Sequence, residues 1–438
     1  MPDLLAARSQ MAISLAFHIV FAAIGIAMPL MMAIAEWRWL RTRDESYLVL
    51  AKRWAKGTAI LFAVGAVSGT VLSFELGLLW PHFMEWAGPV IGPLFALEGF
   101  AFFTEAIFLG IYLYGWTKIA GSAHLLAGFI VAGSGVASAM AVVTANAWMN
   151  TPTGFELVGG RPDRIDLLAV MQNPHALHET IHMVLAAFAA TGFVVAGIHA
   201  ALLLRDRTNR FHRQALAIAL MVGGIPALLQ PLSGDVLTRT VAKHQPLKLA
   251  AIEALFHTEA GAAFRLGGIP DADRQEVRFA VEIPSALSLL LYLDPQATVV
   301  GLDQFPRDEW PPLAVVHVAF QVMVGLGFMM TGLALWGGWR WWQGRLADDT
   351  WLLRSLVAAS PAGFLAIEAG WIVTEVGRQP WIIYQIMRTA DAVTPMPGLW
   401  VPLVVFTLLY IGLAGVVVWL LWRHIVATAD ATTIVARR

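Results

Sequence analysis

Several ionisable side chains occur within long apolar stretches of this sequence, where a charge is costly. Placing such a group inside a membrane span costs roughly 2.5–3.5 kcal/mol on insertion scales, so these residues are functional candidates by default. Carboxyls in this setting could relay protons, and imidazoles could bind a metal or a metal-containing cofactor. The residues are His18, Glu75, Glu98, Glu105, His182, Glu368 and Glu375.

Two of these carboxyls, Glu98 and Glu105, are seven residues apart. Seven residues is about two helical turns, so we expect both on one face of a helix. A pair of carboxylates on one face of a membrane helix suits a proton relay. The alternative is one carboxyl neutralised by protonation and one capped by a hydroxyl.

A second group lies near the end of a later apolar stretch. Glu368, Trp371 and Glu375 share a helix face, Arg378 follows, and Pro380 predicts that the helix stops nearby. The arginine beside a buried glutamate could be a structural ion pair. Alternatively, the glutamate is a cofactor ligand and the arginine binds a propionate.

Three histidines, His175, His178 and His182, form a stripe at the start of another apolar stretch. His178, Glu179 and His182 also match H-E-x-x-H, which on a helix can bind zinc with the glutamate as general base. A third zinc ligand is needed, and the nearest aspartate, Asp294, lies in a polar loop. An intramembrane zinc metalloprotease is therefore the second hypothesis.

The composition excludes several classes of protein. Of 438 residues, 58% are hydrophobic and 13% charged, and the net charge is −1. A soluble enzyme or a disordered chain would carry more charge, and there is no basic field for a nucleic acid. No cysteine is present, which excludes disulfides and thiolate ligands.

Nine apolar stretches are long enough to cross a membrane, which takes about 20 residues. Helices are expected, because alternating barrel strands are absent. The predicted fold is an all-α polytopic membrane protein with nine transmembrane helices. The stretches are about 11–35, 56–79, 90–115, 122–146, 176–204, 214–232, 313–337, 352–375 and 398–422.

Lysine and arginine concentrate in alternate connecting segments, notably 36–55 and 205–213. By the positive-inside rule, the N-terminus is outside and the C-terminus inside. The predicted organisation is six helices over 1–232, an outer loop over 233–312, and three helices with a short cytoplasmic tail over 313–438.

Taken together, these residues resemble subunit I of cytochrome bd-type quinol oxidases, over about residues 4–425. The most specific block runs from Glu368-Ala369-Gly370-Trp371 through Glu375-Val376-Gly377-Arg378-Gln379-Pro380-Trp381. Further matches are His18, Glu98-Gly99, Phe102-Phe103-x-Glu105, Ala145-Asn146-x-Trp148-Met149, Asn173-Pro174 with His182, Lys248-Leu249-Ala250-Ala251-Ile252-Glu253 and Gly268-Ile269-Pro270-Asp271.

The resemblance implies two haem b and one haem d, or haem b in place of haem d. His182 and Met323 would ligate a low-spin haem b, because a His/Met pair fills both axial positions and favours electron transfer. His18 and Glu375 would serve the two high-spin haems. On the predicted orientation, all four lie within roughly 15 Å of the outer surface.

The resemblance also implies roles for carboxyls and for the haem pocket. Glu98 would lie near the oxygen-reducing haem, and Glu105 would be linked to proton delivery. Trp371 and Arg378 would line the haem pocket, with Arg378 offering its charge to a propionate.

Lys248 and Glu253, in the outer "Q-loop", would be quinol-site residues; the alternative is a solvated loop ion pair.

Two features depart from many family members. Gln321 stands where they have arginine, so the low-spin haem would lose a nearby cation. Segment 285–311 lacks the insertion of long-loop members, which resembles the cyanide-insensitive branch.

The implied function is oxidation of quinol at the outer loop and reduction of O2 to water with cytoplasmic protons, which generates a proton motive force. Expected partners are a second subunit, with or without a small single-span subunit, but no nucleic acid. The expected location is the bacterial inner membrane. A third hypothesis is a haem-free transporter in which Glu98, Glu105 and Glu375 carry protons.

Overall fold

The computed structural model describes residues 2–426, and most of this part is helical. In chain order the helices are α1 (Pro2–Thr42), α2 (Glu45–Leu79), α3 (Pro81–Tyr114), α4 (Gly121–Asn150), α5 (Leu167–Met171), α6 (Ala176–Arg205), α7 (Arg210–His244), α8 (Pro246–Ile252), α9 (Ala286–Tyr292), α10 (Leu313–Trp342), α11 (Thr350–Ala358), α12 (Ala362–Val376), α13 (Thr389–Ala392) and α14 (Trp400–Leu421).

Nine helical segments within residues 2–426 are long and apolar enough to span a membrane, which confirms the predicted number. They are α1 to α4, α6, α7, α10, the pair α11 and α12, and α14. The eighth segment is divided at Pro361, which has no N–H to continue the hydrogen-bond ladder of α11.

The sixth span extends further than the predicted 214–232, because α7 continues to His244. The added turns are polar, so hydropathy alone did not include them. They remain helical because hydrogen bonding continues and Asp235 pairs with Arg239 at 3.0 Å, one turn later. The segment between the helices α7 and α10, which we call the outer loop after its predicted location, therefore follows His244.

Small residues allow α6 to pack closely against two neighbours. A Cβ on Gly192 of α6 would lie 2.3 Å from the Cα of Gly223 in α7, and one on Gly363 of α12 would lie 2.3 Å from the Cα of Ala190. These distances are too short for any side chain, so α7 and α12 are held directly against α6.

The strands are short antiparallel pairs in the connecting loops. Three pairs in the outer loop are nested: β5 with β6 lies inside β4 with β7, which lies inside β3 with β8. The strands are β1 (Glu156–Val158), β2 (Arg161–Asp163), β3 (Glu259–Ala260), β4 (Phe264–Leu266), β5 (Ile269–Asp271), β6 (Glu276–Arg278), β7 (Val281–Ile283), β8 (Thr298–Val299), β9 (Trp381–Ile383) and β10 (Met387–Arg388).

The outer loop has an apolar core of its own. Leu249, Phe256 and Leu302 are buried together and pack with Val316 and Phe320 of α10. The loop is therefore a folded layer against α10, which fixes α8 over the cavity described next.

Candidate functional site

A cavity of about 310 Å³ lies among α6, α7, α10 and α12, with α8 of the outer loop at one side. His182 and Met323, the predicted axial ligands, both line it. Trp371, Lys248 and Glu253 line it too. The structure thus brings the predicted haem ligands and the predicted quinol-site residues, which lie far apart in the sequence, into one cavity.

The hydrogen bonds of His182 define its tautomer. Ser233 donates its hydroxyl hydrogen to the carbonyl oxygen of Gln230 at 2.9 Å, so it accepts from Nδ1 of His182, also at 2.9 Å. Nε2 accordingly carries the lone pair, and it accepts from the amide of Gln230 at 3.1 Å. A lone pair on Nε2 with Nδ1–H fixed by a second residue is the usual state of a metal-binding histidine.

His18 has the same arrangement on a different pair of helices. Ser68 of α2 donates to the carbonyl oxygen of Gly65 at 3.1 Å and accepts from Nδ1 of His18 at 3.0 Å. Nε2 of His18 is therefore also left with its lone pair. Neither serine was predicted from the sequence as a site residue.

A glycine follows each of these serines and leaves room for the imidazole. A Cβ on Gly69 would lie 2.9 Å from Cε1 of His18, and one on Gly234 would lie 3.4 Å from Cε1 of His182. Gly370 leaves similar room for Met323, whose sulfur would be 2.9 Å from an added Cβ. The two Ser-Gly pairs within apolar helices were the available sequence signal.

Glu375 is held by two side chains. Asn146 of α4 donates to its Oε1, and Arg378 donates to its Oε2 at 2.6 Å. Arg378 is 2% exposed, and its Nε and Nη1 have no hydrogen-bond partner among the described residues. The ion pair, one of the two alternatives from the sequence, is present, yet most of the donor capacity of Arg378 stays unused.

These unpaired donors are what a haem would need. Burying a guanidinium nitrogen without a partner is costly, and the indole N–H of Trp371 is likewise unpaired among the described residues. A propionate would satisfy donors of this kind, and Gly234 and Gly370 leave room for the side chains of His182 and Met323 at the wall of the cavity. The residues present therefore fit a haem.

A chain of hydrogen bonds connects the outer loop to Glu375. Lys248 donates to Oδ1 of Asn150 at 2.5 Å, and Asn150 donates to Oδ1 of Asn146 at 3.1 Å. Asn146 then donates to Glu375, so all three donors point the same way. Gln245 also donates to Oδ1 of Asn150, at 3.2 Å.

Lys248 and Glu253 are both buried, so the alternative of a solvated loop ion pair is wrong. Burial raises the pKa of Glu253 to about 8, although Arg265 acts in the opposite direction. Burial also lowers the pKa of Lys248 to about 7, and Arg378 contributes to this decrease. Burial therefore disfavours the charged form of both groups.

Glu98 and Glu105 face one neighbouring helix, as their spacing predicted. Glu98 accepts from Ser138 of α4 at 3.4 Å, and Glu105 lies against Gly135, one turn away on α4. Glu105 is buried, while Glu98 is partly buried. Neither belongs to the described lining of the cavity, so they form a separate pair.

Two α10 side chains hold the outer loop in place. Gln321 accepts from the backbone N–H of Gly267 and donates to the carbonyl of Arg265, each at 3.0 Å. His317 contacts the carbonyls of Ile252 and Gly267 at 2.7 and 3.1 Å. From the sequence, Gln321 was noted only because it lacks the charge of the usual arginine, and no pattern indicated that His317 contacts the outer loop.

The zinc hypothesis finds no support in the structure. Within residues 2–426, no group of three or more His, Cys, Asp or Glu is placed to hold a metal ion. Glu179 and His182 instead line the cavity with Met323. The H-E-x-x-H match is a consequence of two histidines lying one helical turn apart.

Over the described residues, nine helices that can span a membrane, four of which surround a cavity whose residues fit a haem, are features of a polytopic haem-binding membrane protein. The comparisons with known proteins agree with this class. A family described as "Cytochrome bd terminal oxidase subunit I" matches residues 6–429. The chain therefore belongs to this family, whose members are oxidoreductases of bacterial membranes.

Similar proteins cover almost the whole chain. A Bacillus subtilis protein named "Putative cytochrome bd menaquinol oxidase subunit I" is 39% identical over 96% of each chain. Another, named "Cytochrome bd ubiquinol oxidase subunit 1", is 33% identical over 98% of this chain and 95% of its own. The solved bd oxidase from Geobacillus thermodenitrificans is 41% identical, with a TM-score of 0.90, over 96% of this chain and 98% of that chain.

Proposed function

We propose that this chain, as subunit I of a bd-type oxidase, oxidises quinol at the outer loop and delivers the electrons to haems at which O2 is reduced to water. The observation that carries the proposal is the cavity shared by His182, Met323, Lys248 and Glu253. It places predicted haem ligands beside predicted quinol-site residues. The similar proteins are named for menaquinol and for ubiquinol, so quinol is proposed here as a class.

His182 and Met323 are the proposed axial ligands of a low-spin haem b. His18 and Glu375 are the proposed ligands of two high-spin haems, one b and one d, or haem b in place of haem d. When bound, the haems supply one-electron transfer and the site of oxygen reduction. This chain fixes the imidazoles through Ser68 and Ser233.

Oxidation of a quinol releases two electrons and two protons, so the site needs a proton acceptor. The Glu253 carboxylate is the proposed acceptor, and its Oε2, unpaired among the described residues, is available for a quinol hydroxyl. Lys248 is the proposed donor to the other oxygen of the substrate. Trp371 lines the same pocket. Arg378, which donates to Glu375, is the proposed propionate partner.

The proposed orientation places the N-terminus and the outer loop outside and the C-terminus inside. Protons from quinol are then released outside, while Glu105 and Glu98 lie on the route of protons taken from the cytoplasm. The result is a proton motive force without a pump. The tail after residue 426 lies outside the described residues.

A second subunit, subunit II of the oxidase, is the proposed partner, as in the bd oxidases that the similar proteins form. A small single-span subunit can complete the complex. The outer loop of this chain, between α7 and α10, is proposed to be of the short type, without the insertion of long-loop members over 285–311.

The proposal is tested by the reduced-minus-oxidised absorption spectrum of the purified complex, together with haem extraction. We expect about three haems per chain, and His182→Ala should remove the low-spin b signal alone. His178→Ala, one turn away on α6, is the matched control and should keep it. A complex that contains no haem, or a His182→Ala spectrum identical to that of the parent, would contradict the proposal.

A further inference from the structure

A group of buried oxygen atoms lies where α1, α2 and α14 meet, away from the cavity described above. Gln10 donates to Oε1 of Glu75 at 2.9 Å, and Ser14 is adjacent to both Glu75 and Tyr410. All four side chains are at most 3% exposed. The ring of Phe17 packs on that of Tyr410, with centroids 4.7 Å apart, and fixes its position.

Each of these four residues has one oxygen that makes no hydrogen bond of normal length and angle among the described residues, although Ser14 lies close to both Glu75 and Tyr410. The four oxygens are Gln10 Oε1, Ser14 Oγ, Glu75 Oε2 and Tyr410 Oη. A buried polar atom without a protein partner is rare, and a bound water molecule or ion commonly satisfies such an atom. Four in one place, two of them hydroxyls, offer the two to four polar contacts that a buried water molecule makes.

The group is aligned with His18. Ser14 precedes His18 by one turn of α1, and Glu75 follows Ser68, the partner of His18, by two turns of α2. The oxygen atoms therefore lie along the same faces of α1 and α2, roughly 6–10 Å further toward the N-terminal end of α1. Under the proposed orientation this end is outside.

A buried carboxyl at this distance responds to the charge at His18. An electron that arrives near His18 adds negative charge, and negative charge favours the protonated form of a carboxyl. Of the other three side chains in the group, only Tyr410 on α14 is titratable, and it lies close enough to Glu75 for their charges to interact. A phenol is neutral near neutral pH, so Glu75 is the member of the group that can take up a proton.

We propose that Gln10, Ser14, Glu75 and Tyr410 form a water-filled protonation site, in which Glu75 takes up one proton when the haem at His18 gains one electron. The electron comes from quinol oxidation, and the proton comes from the bound water and, through it, from the aqueous phase. Reoxidation releases the proton. The inference rests on the proposed function only in placing a haem at His18.

The experiment is redox-induced infrared difference spectroscopy of the purified complex, in water and in heavy water. The parent should show a band in the region of protonated carboxyls that appears on reduction and shifts in heavy water. Glu75→Gln should lose this band while the haem spectrum stays unchanged. Glu85→Gln, which removes an exposed carboxyl paired with Arg161, is the control and should keep the band.

A band that persists in Glu75→Gln, or a parent complex with haem but no such band, would overturn the inference. If the Glu75→Gln complex fails to assemble, the Gln10→Met variant tests the inference instead. That variant keeps the carboxyl but removes its donor, so the band should shift in frequency, and an unshifted band counts against the site. Absence of haem from the parent would refute the proposed function itself, which separates the two failures.

Discussion

At the scale of single residues, the main finding is that His18 and His182 are positioned by one shared device. In each case a serine accepts from Nδ1 and donates to a carbonyl three residues earlier. If the serine hydroxyl donated its hydrogen to Nδ1 instead, its hydrogen bond to the backbone carbonyl would be lost. The protein thereby sets the tautomer of both imidazoles before any ligand binds.

Ser233→Ala should weaken haem binding at His182, since Nδ1 loses its acceptor and the ring can rotate. Removal of a hydrogen-bond partner that orients a ligand typically costs 10–100-fold in metal affinity. The measurement is the low-spin b content of the purified complex as haem is limited. Ser68→Ala is the matched variant and should affect only the other haem; equal losses in both variants would argue against separate sites.

Glu253 should make the stability of the protein depend on pH. Burial raises its pKa in the folded state from 4.5 to about 8, so the folded state binds more protons than the unfolded state between these values. The free energy of unfolding should thus fall as the pH rises through this window, by at most about 1.4 kcal/mol per pH unit.

Thermal unfolding of the purified complex between about pH 5 and about pH 9 measures this slope. Glu253→Gln should flatten it, because the amide is neutral throughout. A variant with the same slope as the parent would show that the dependence arises elsewhere in the molecule.

At the scale of elements, the contact between α6 and α7 determines the site, because α6 carries His182 and α7 carries Ser233. The two helices approach at Gly192 and Gly223, where a side chain has no room. The geometry of the histidine therefore depends on a backbone contact about ten residues along the helix from it.

Gly192→Ala should destabilise the protein by about 1–3 kcal/mol, since the new Cβ meets backbone atoms that cannot yield. The loss of the low-spin b signal on warming should accompany the lower unfolding temperature. Gly99→Ala on α3 is the control, because an added Cβ there contacts nothing within 4 Å. A Gly192→Ala protein as stable as this control would show that the helices can separate freely.

The sequence predicted the spans well because about 20 apolar residues have few alternatives to a membrane helix. It did not predict the end of α7, where polar turns continue a helix beyond the apolar stretch. It also missed the nested hairpins, whose strands of two or three residues show no periodicity. The ligand candidates followed from a resemblance, whereas their serine partners lie about 50 residues away and only packing reveals them.

At the scale of the whole molecule, orientation determines the direction of proton movement. The chain contains no cysteine, so single cysteines can report exposure without a background. Asp273 lies on the outer loop and Ser122 at the start of α4, and both are exposed.

Asp273→Cys should react with a membrane-impermeant maleimide in intact spheroplasts, and Ser122→Cys only after lysis. This outcome follows if the segments rich in lysine and arginine remain inside. Mass-tag labelling and electrophoresis measure it. The reverse pattern would invert the membrane orientation and would place quinol oxidation on the cytoplasmic side.

The chain of donors from Lys248 through Asn150 and Asn146 to Glu375 has a practical consequence. An inhibitor that binds against Lys248 would disturb the hydrogen bond from Lys248 to Asn150. The last hydrogen bond of the chain holds Glu375, which is proposed to bind a haem. Because these hydrogen bonds join the two sites, we expect such a compound to change the hydrogen bonding of Glu375 and thereby to shift a visible absorption band without any turnover. The binding of compounds to the outer loop could then be compared by absorption spectroscopy, without an added probe.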